Sequence, residues 1–370
     1  MMQPLSGIKV LDLTNLLPGP LATLMLAEAG AEVLKIERPG GDDMRGYQPE
    51  WNGTGAAFGL LNRGKKSFIL DLKSEKGADR LRLLLQDVDV LVEQFRPGIM
   101  DKLGFGYAAV REVNPHLIYC SITGYGQSGH RAQEAGHDLN YIGHTGLLAL
   151  QPGPTDRPVV PPALIADIGG GTFPAVINIL LALRQRDLTG QGCHLDIAMT
   201  DAMFTFAWHA LARRFATERC PAPGESELCG GSPRYQLYPA KDGGLIACAA
   251  LEDHFWRRFA SVIGLDPTLT DDRRDPAATM AAVAALIATR SAAEWEPVFA
   301  KADCCLTIVR SLDDALSDPH FIQRGLFSRR LRGLDGGTMP ALPLPIAPQF
   351  RGPADDEKPV PPLSQAETGW

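Results

Sequence analysis

Ile8-Lys9-Val10-Leu11-Asp12-Leu13, the break at Pro18-Gly19-Pro20, the run Leu21–Ala29 that stops at Gly30, and Glu32-Val33-Leu34-Lys35-Ile36 decide the fold. The outer two segments are short aliphatic runs of strand type, and the middle one has helical spacing. Outward from this unit the pattern repeats. Phe68–Leu72 reads as a strand, Glu75–Gln86 as a helix, and Val88–Val92 and Leu117–Ile122 as further strands. Strands alternating with helices predict a parallel α/β sheet, whose ligands bind at the carboxyl ends of the strands. The first turn, Asn15–Pro20, lacks the GxGxxG spacing, and Leu16, Leu17 and the prolines leave little room for a pyrophosphate. A nicotinamide dehydrogenase is therefore disfavoured.

Beyond the sheet, three glycines at 169–171 precede an apolar helix reaching about Arg186, and Thr200–Thr217 reads as a second long helix, a connector. The texture changes near Gly230. Tyr235–Tyr238, the turn at Lys241–Gly244 and Leu245–Ala250 predict a hairpin, followed by a helix over Asp253–Ile263. The expected organisation is a large α/β domain over 1–197, a helical connector over 198–227, a small α+β domain over 228–325, and a C-terminal segment, 326–370, returning to the large domain. Residues 151–162, rich in proline, read as an irregular crossing.

At 370 residues the chain exceeds one comfortable core, which agrees with two domains. A formal charge of −7 argues against nucleic acid or an anionic membrane as main partner, since both need broad basic surface. The N-terminus lacks a cationic segment leading into an apolar run, and apolar stretches such as Pro174–Leu183 are too short to cross a bilayer. The seven cysteines form no CxxC pair, and Cys304 and Cys305 are adjacent, so a reduced, cytoplasmic enzyme is expected.

Four features carry chemistry. Arg38, Arg63, Lys65, Lys66, Lys73, Arg96 and Lys102 all flank strand ends, where they read either as surface charge or as a joint site for phosphates. His137, between Gly136 and Asp138, is one of eight histidines and reads as structural or as a proton carrier, with a neighbouring amide to hold an anion. Asp167, before the glycine triplet, reads as a desolvated base or as the N-cap of the following helix. Glu252 reads as a favourable charge at a helix start or as a partner of His137. No HExxH, paired histidine or aspartate cluster suggests a metal, and no nucleophile elbow is present.

Longer stretches resemble a known family. Pro4–Thr14, Pro18-Gly19-Pro20, Gly30–Pro39, Asn62–Ser67, Leu70–Ser74, Phe95-Arg96-Pro97-Gly98, Thr123–Gly126, Asp242-Gly243-Gly244 and Ser317-Asp318-Pro319-His320 are similar to segments of the class III CoA-transferases (CaiB/BaiF), and most of all to their α-methylacyl-CoA racemase branch. The resemblance implies a Rossmann-like large domain with a smaller one, in an interlocked homodimer whose site lies between domains of different chains. It implies His137 and Asp167 as the two bases and Glu252 as the acidic partner of His137. Coenzyme A, carried as part of the thioester substrate and with no prosthetic group, would be held by Leu16, Arg38, Leu70, Asp71, Leu72, Lys73, Gln94, Phe95, Arg96, Lys102, Gly136 and Tyr141.

The implied reaction is epimerisation at the α-carbon of a 2-methylacyl-CoA. The alternative is CoA transfer between carboxylic acids through an aspartyl-CoA, with Asp138 as nucleophile. Retention of all three proton-handling residues argues against a non-catalytic binding protein. One departure stands out. Racemases usually read Asp-Gly-Gly-Ala-Pro and then an aromatic, whereas here the segment is Cys229-Gly230-Gly231-Ser232-Pro233-Arg234-Tyr235.

Overall fold

The structure, a computed structural model, describes residues 2–151, 153 and 159–364. The chain forms two compact units, one of Met1–Thr145, Pro162–Thr205 and Pro319–Trp370, the other of Gly146–Pro161 and Phe206–Asp318. Half of the proline-rich crossing expected at 151–162, positions 152 and 154–158, lies outside the described residues.

The first unit is built on six parallel strands: β1 (Lys9–Leu13), β2 (Glu32–Glu37), β3 (Lys66–Ile69), β4 (Val90–Glu93), β5 (Ile118–Thr123) and β6 (His194–Ala198). Their order across the sheet is β3-β2-β1-β4-β5-β6. The order reverses between β1 and β4, the switch point at which open α/β sheets bind ligands. The inner strands β1, β4 and β5 are almost wholly buried, as parallel strands covered on both faces must be.

Helix α1 (Pro18–Glu28) corrects the reading of Pro18-Gly19-Pro20 as a break. Proline is tolerated in the first helical turn, where its missing N–H has no intrahelical acceptor, so the motif starts the helix. Nearly every residue of α1 is buried, in line with its apolar character on all sides. Two strands are displaced from expectation: β3 ends at Ile69, which frees Leu70–Lys73, and β4 begins at Val90. Helix α2 (Glu75–Leu85) starts at Ser74, whose Oγ accepts the N–H of Gly77 at 3.0 Å.

Helix α3 (Asp138–His144) is short, while α4 (Phe173–Thr189) is preceded without interruption by a π-helical turn, Ala166–Thr172. The combined 24-residue run is long and apolar enough to cross a bilayer, contrary to the expectation of only short runs, yet half of its most apolar window is buried within the protein. The C-terminal segment packs on this unit. Arg351 donates from Nε and Nη2 to Glu28 Oε2 at 3.0 and 2.7 Å.

The expected connector helix over 200–217 is replaced by two pieces parted at Ala207: Met203–Phe206, which falls where the first unit ends, and α5 (Trp208–Thr217) in the second unit. The hairpin forms as read: β7 (Tyr235–Pro239) pairs antiparallel with β8 (Leu245–Ala249) around Gly243, whose φ is +82°. Helix α6 (Asp253–Ile263) follows, then α7 (Pro276–Ile287), α8 (Ala292–Ala302) and β9 (Leu306–Ile308), which pairs with β8. Trp256, Trp295, Phe259 and Phe299 fill the core of this unit.

Candidate active site

The loops leaving β1 and β4 are stitched together across the switch point. Gln94 Nε2 donates to the carbonyl and Oδ1 of Asn15 at 2.7 and 2.8 Å, and Gln94 Oε1 accepts the N–H of Gly19 at 3.2 Å. Leu16, between them, has φ +57°, a left-handed conformation that costs a non-glycine residue about 1–2 kcal/mol. Buried charge holds the loop in this state. Asp12 Oδ1 accepts the N–H of Thr14 at 2.9 Å, and Lys35 Nζ donates to the Thr14 carbonyl at 2.6 Å. Lys35 and Lys65 lie beneath it with Asp12 and Asp42, all buried. Burial by itself would raise the Asp12 pKa, but Lys65 and then Lys35 hold the carboxyl well below its ordinary range.

Above these loops a cleft of about 450 Å³ is lined by Leu16, Gln94, Arg96, His137, Tyr141 and Asp167, among others. His137 precedes α3, and its N–H donates to Asn140 Oδ1 at 3.0 Å, which fixes the backbone while the imidazole remains exposed. A Cβ at Gly136 would come within 2.7 Å of the Tyr141 ring, whose hydroxyl donates to the Gly136 carbonyl. Only glycine admits that ring beside the histidine.

Asp138 is 4% exposed, and its Oδ1 accepts the N–H groups of Ala166 at 2.7 Å and Asp167 at 3.0 Å. It caps the π-helical turn, so Asp167 is not the N-cap of α4 but sits inside the turn that Asp138 caps. π-Turns inserted in helices recur at functional sites. The glycine triplet has its reason in packing: a Cβ on Gly170 would lie 2.2 Å from the Met199 carbonyl oxygen, and one on Gly171 3.0 Å from Pro18 Cβ.

Asp167 is half-buried at the cleft wall, and its pKa is pushed up to about 6. Burial is the main cause, the negative charge of Asp138 adds to it, and His137 opposes it. His137 and Asp167 thus act on each other electrostatically while lining one cleft. An imidazole, with a carboxyl whose pKa is raised to about 6, can exchange protons with a carbon acid in the cleft.

A second cleft of about 520 Å³ lies along the ends of β2, β3 and β4, lined by Arg38, Leu70, Asp71, Leu72, Lys73 and Lys102. Phe95 lines both clefts, so the twelve residues expected at the coenzyme site divide between two cavities with a common wall. Three of the expected cations do not belong to it, Lys66 lining neither cleft. Arg63 is 1% exposed and pairs with Glu28 at 3.0 Å, and Lys65 is buried against Asp12. Their positions at strand ends looked like those of Arg38 and Lys73, but their side chains turn under the sheet.

Glu252 belongs to the second unit, where it is the residue before α6, and does not line the cleft of the first. Its charge, after burial, raises the pKa of the Cys305 thiol. Arg234 is engaged within its own unit: Nε and Nη2 donate to Asp272 at 3.0 and 2.7 Å, and Nη1 to Asp253 and the Leu251 carbonyl at 2.7 and 2.9 Å. Cys229 Sγ lies 3.3 Å from His209 Nε2.

Sequence reading missed the residues that hold the loops: Asp12, Lys35, Asn15 and Glu93. Their signal was position, since each sits within or just past a strand next to the switch point, but charge inside an apolar strand is ambiguous until its partners are known.

The chain's similarity to known proteins agrees with this geometry. The profile of CoA-transferase family III matches residues 5–366. The chain is 34% identical to the α-methylacyl-CoA racemase of Homo sapiens, over 87% of this chain and 82% of that one. It is 33% identical to the acetyl-CoA:oxalate CoA-transferase of Acetobacter aceti, over 93% and 89%. A CaiB/BaiF family protein from Brucella suis superposes with a TM-score of 0.83 at 29% identity, covering 99% of this chain and 97% of that one. The chain belongs to CoA-transferase family III, the family that holds both racemases and CoA-transferases.

Proposed function

We propose that the protein epimerises the α-carbon of 2-methylacyl-CoA thioesters. The observation that carries this reading is the pairing of His137 with a carboxyl of raised pKa, Asp167, in one cleft. The thioester carbonyl delocalises the charge left when the α-proton departs. Neutral His137 takes the proton from one face, an enolate forms, and protonated Asp167 delivers a proton to the other face. For the opposite enantiomer the roles exchange. Positioned acid–base groups supply about 10²–10⁴-fold. Backbone amides at the start of α3, near Asp138, would stabilise the enolate oxygen, each worth about 3–4 kcal/mol. Arg38, Lys73 and Lys102 suit the phosphates of coenzyme A in the second cleft.

The test is incubation of one enantiomer of a 2-methylacyl-CoA in D₂O. Deuterium at the α-carbon with loss of optical purity is expected. Retention of proton and configuration would sink the reading, as would unchanged exchange in both His137→Ala and Asp167→Ala. Glu252→Gln tests the third acid–base group by the same exchange.

CoA transfer is a second reading, supported by the similarity to the oxalate transferase. Its expected nucleophile, Asp138, is buried with Oδ1 accepting two amides, so the half-buried Asp167 is a second candidate for the attack. Asp167 would attack the acyl carbonyl and expel CoA thiolate, leaving an anhydride. The thiolate would then attack the aspartyl carbonyl, releasing the donor acid and leaving an aspartyl-CoA. Hydroxylamine-sensitive labelling of Asp167, with CoA appearing on an added carboxylate, distinguishes this course. We also propose a homodimer, supported by the exposed apolar stripe of Phe173, Ile177, Leu180, Leu181 and Leu188 on α4.

A further inference from the structure

A third, smaller cavity of about 190 Å³ lies behind the loop that separates the two clefts, lined by Glu93, Ser121, Gln127, His194, Arg96 and Pro97, among others. Arg96 and Pro97 line the thioester cleft from their other side. Nothing in the proposed reaction uses this cavity, yet it holds a continuous polar chain. His194 Nε2 lies 3.0 Å from Ser121 Oγ, and Ser121 stands opposite Glu93 in the register of β4 and β5, where its hydroxyl acts to lower the Glu93 pKa. Glu93 Oε2 accepts the N–H of Phe95 at 2.8 Å. Glu93 and Ser121 are 4% and 1% exposed. The outer end is fixed by rings, His194 stacking on Tyr107 with centroids 5.1 Å apart and meeting Tyr119 edge-on at 5.3 Å.

We infer that Glu93 is a positioning residue for the Gln94–Arg96 loop, setting the wall shared by the thioester and nucleotide clefts through its bond to Phe95. The residue that follows a strand at the switch point has no ladder partner to fix it. A buried carboxyl that accepts the amide two positions on supplies that missing bond, and Ser121 on the neighbouring strand β5, with His194 beyond it on β6, keeps the carboxyl from rotating away. Phe95 is the side chain common to both clefts, and Gln94 and Arg96 beside it face the thioester cleft. The position of one carboxyl therefore governs both halves of the coenzyme site. Burying an acid with so few donors is costly unless it is held for a purpose: its pKa is pushed up to about 7, by burial first and then by Asp101 and Asp196.

The inference rests on the reading of the two clefts as an acyl-CoA site, and the experiment separates the two. Binding of free coenzyme A and of a 2-methylacyl-CoA is measured by calorimetry, kcat and KM by α-proton exchange, and stability by thermal melting, for the wild type, Glu93→Gln and Glu93→Ala. Glutamine keeps an oxygen for the Phe95 amide in a side chain of the same shape, so Glu93→Gln is expected to bind within about threefold of wild type. Glu93→Ala is expected to weaken both ligands about tenfold or more and to raise KM in step, with a smaller change in kcat. Should Glu93→Ala prove unstable, Ser121→Ala removes the brace and retains the acid, with the same direction of change expected. Equal affinity in all variants, or losses that follow melting temperature alone with no rescue by glutamine, would overturn the inference. Failure of the wild type to bind coenzyme A at all would overturn the acyl-CoA reading itself, and this inference with it.

Discussion

The Asp138 carboxylate accepts the backbone N–H of Asp167 at 3.0 Å, joining the start of α3 to the π-helical turn before α4. Two carboxylates that looked independent in sequence are one device. Asp138 is consumed in holding the turn, and its charge keeps the proton of Asp167 available near neutral pH.

That coupling sets the pH dependence. With the Asp167 pKa near 6, the acidic limb of kcat/KM for α-exchange is expected near pH 6 rather than near 4. Below it Asp167 is protonated and cannot take the α-proton in the direction that uses it as base, and its ionisation gives that working state. Asp138→Asn keeps an oxygen for the two amides but removes the charge, so the Asp167 pKa falls and the limb moves to lower pH. A limb that stays in place in Asp138→Asn would refute the electrostatic coupling.

Lys35 is expected to matter for both stability and binding. Its ammonium pairs with Asp42 at 3.0 Å and holds the Thr14 carbonyl beneath the strained Leu16. Lys35→Met leaves buried carboxylates without their cation, a loss of about 3–5 kcal/mol in urea unfolding. The KM for acyl-CoA should rise as the loop relaxes. A stability change under 1 kcal/mol would contradict this account.

Gly170→Ala tests the packing of the π-turn. The added methyl would stand 2.2 Å from the Met199 carbonyl oxygen, a backbone atom that cannot swing aside. Destabilisation of about 1–3 kcal/mol is expected, with a loss of α-exchange larger than the fraction unfolded explains, because Asp167 shifts with the turn. Wild-type melting and exchange in this variant would show that the contact is slack.

The cations should divide into two classes. Arg38→Ala and Lys102→Ala, at the second cleft, are expected to raise KM about tenfold with little change in kcat, the mark of lost ground-state and transition-state binding alike. Arg63→Ala is expected instead to cost about 1.5–3 kcal/mol of stability, because it leaves the buried Glu28 with Arg351 as its remaining guanidinium partner. Melting curves and KM values from the same preparations decide it.

Much of the architecture was legible because local patterns carry it. The runs over Lys9–Leu13 and Glu32–Glu37, the Gly243 turn and the start of α6 at Asp253 depend on periodicity and turn chemistry within a few residues. The sequence misled where two local meanings compete. Pro18-Gly19-Pro20 fits both a break and a first helical turn, and a strand end at Ile69 or Leu72 cannot be told from apolar residues alone.

By itself, then, the chain determined the alternation of strands and helices, the existence of the second unit, and which residue types were available for proton transfer and phosphate binding. Only tertiary structure decided their duties. Asp138, rather than Asp167, meets two amides and caps a turn, and Arg63 and Lys65 line neither cleft because Glu28 and Asp12 hold them in the core. Hydrogen bonds and burial act between residues distant in sequence, so no local pattern can specify which of several equivalent charges is held and which is left free to react.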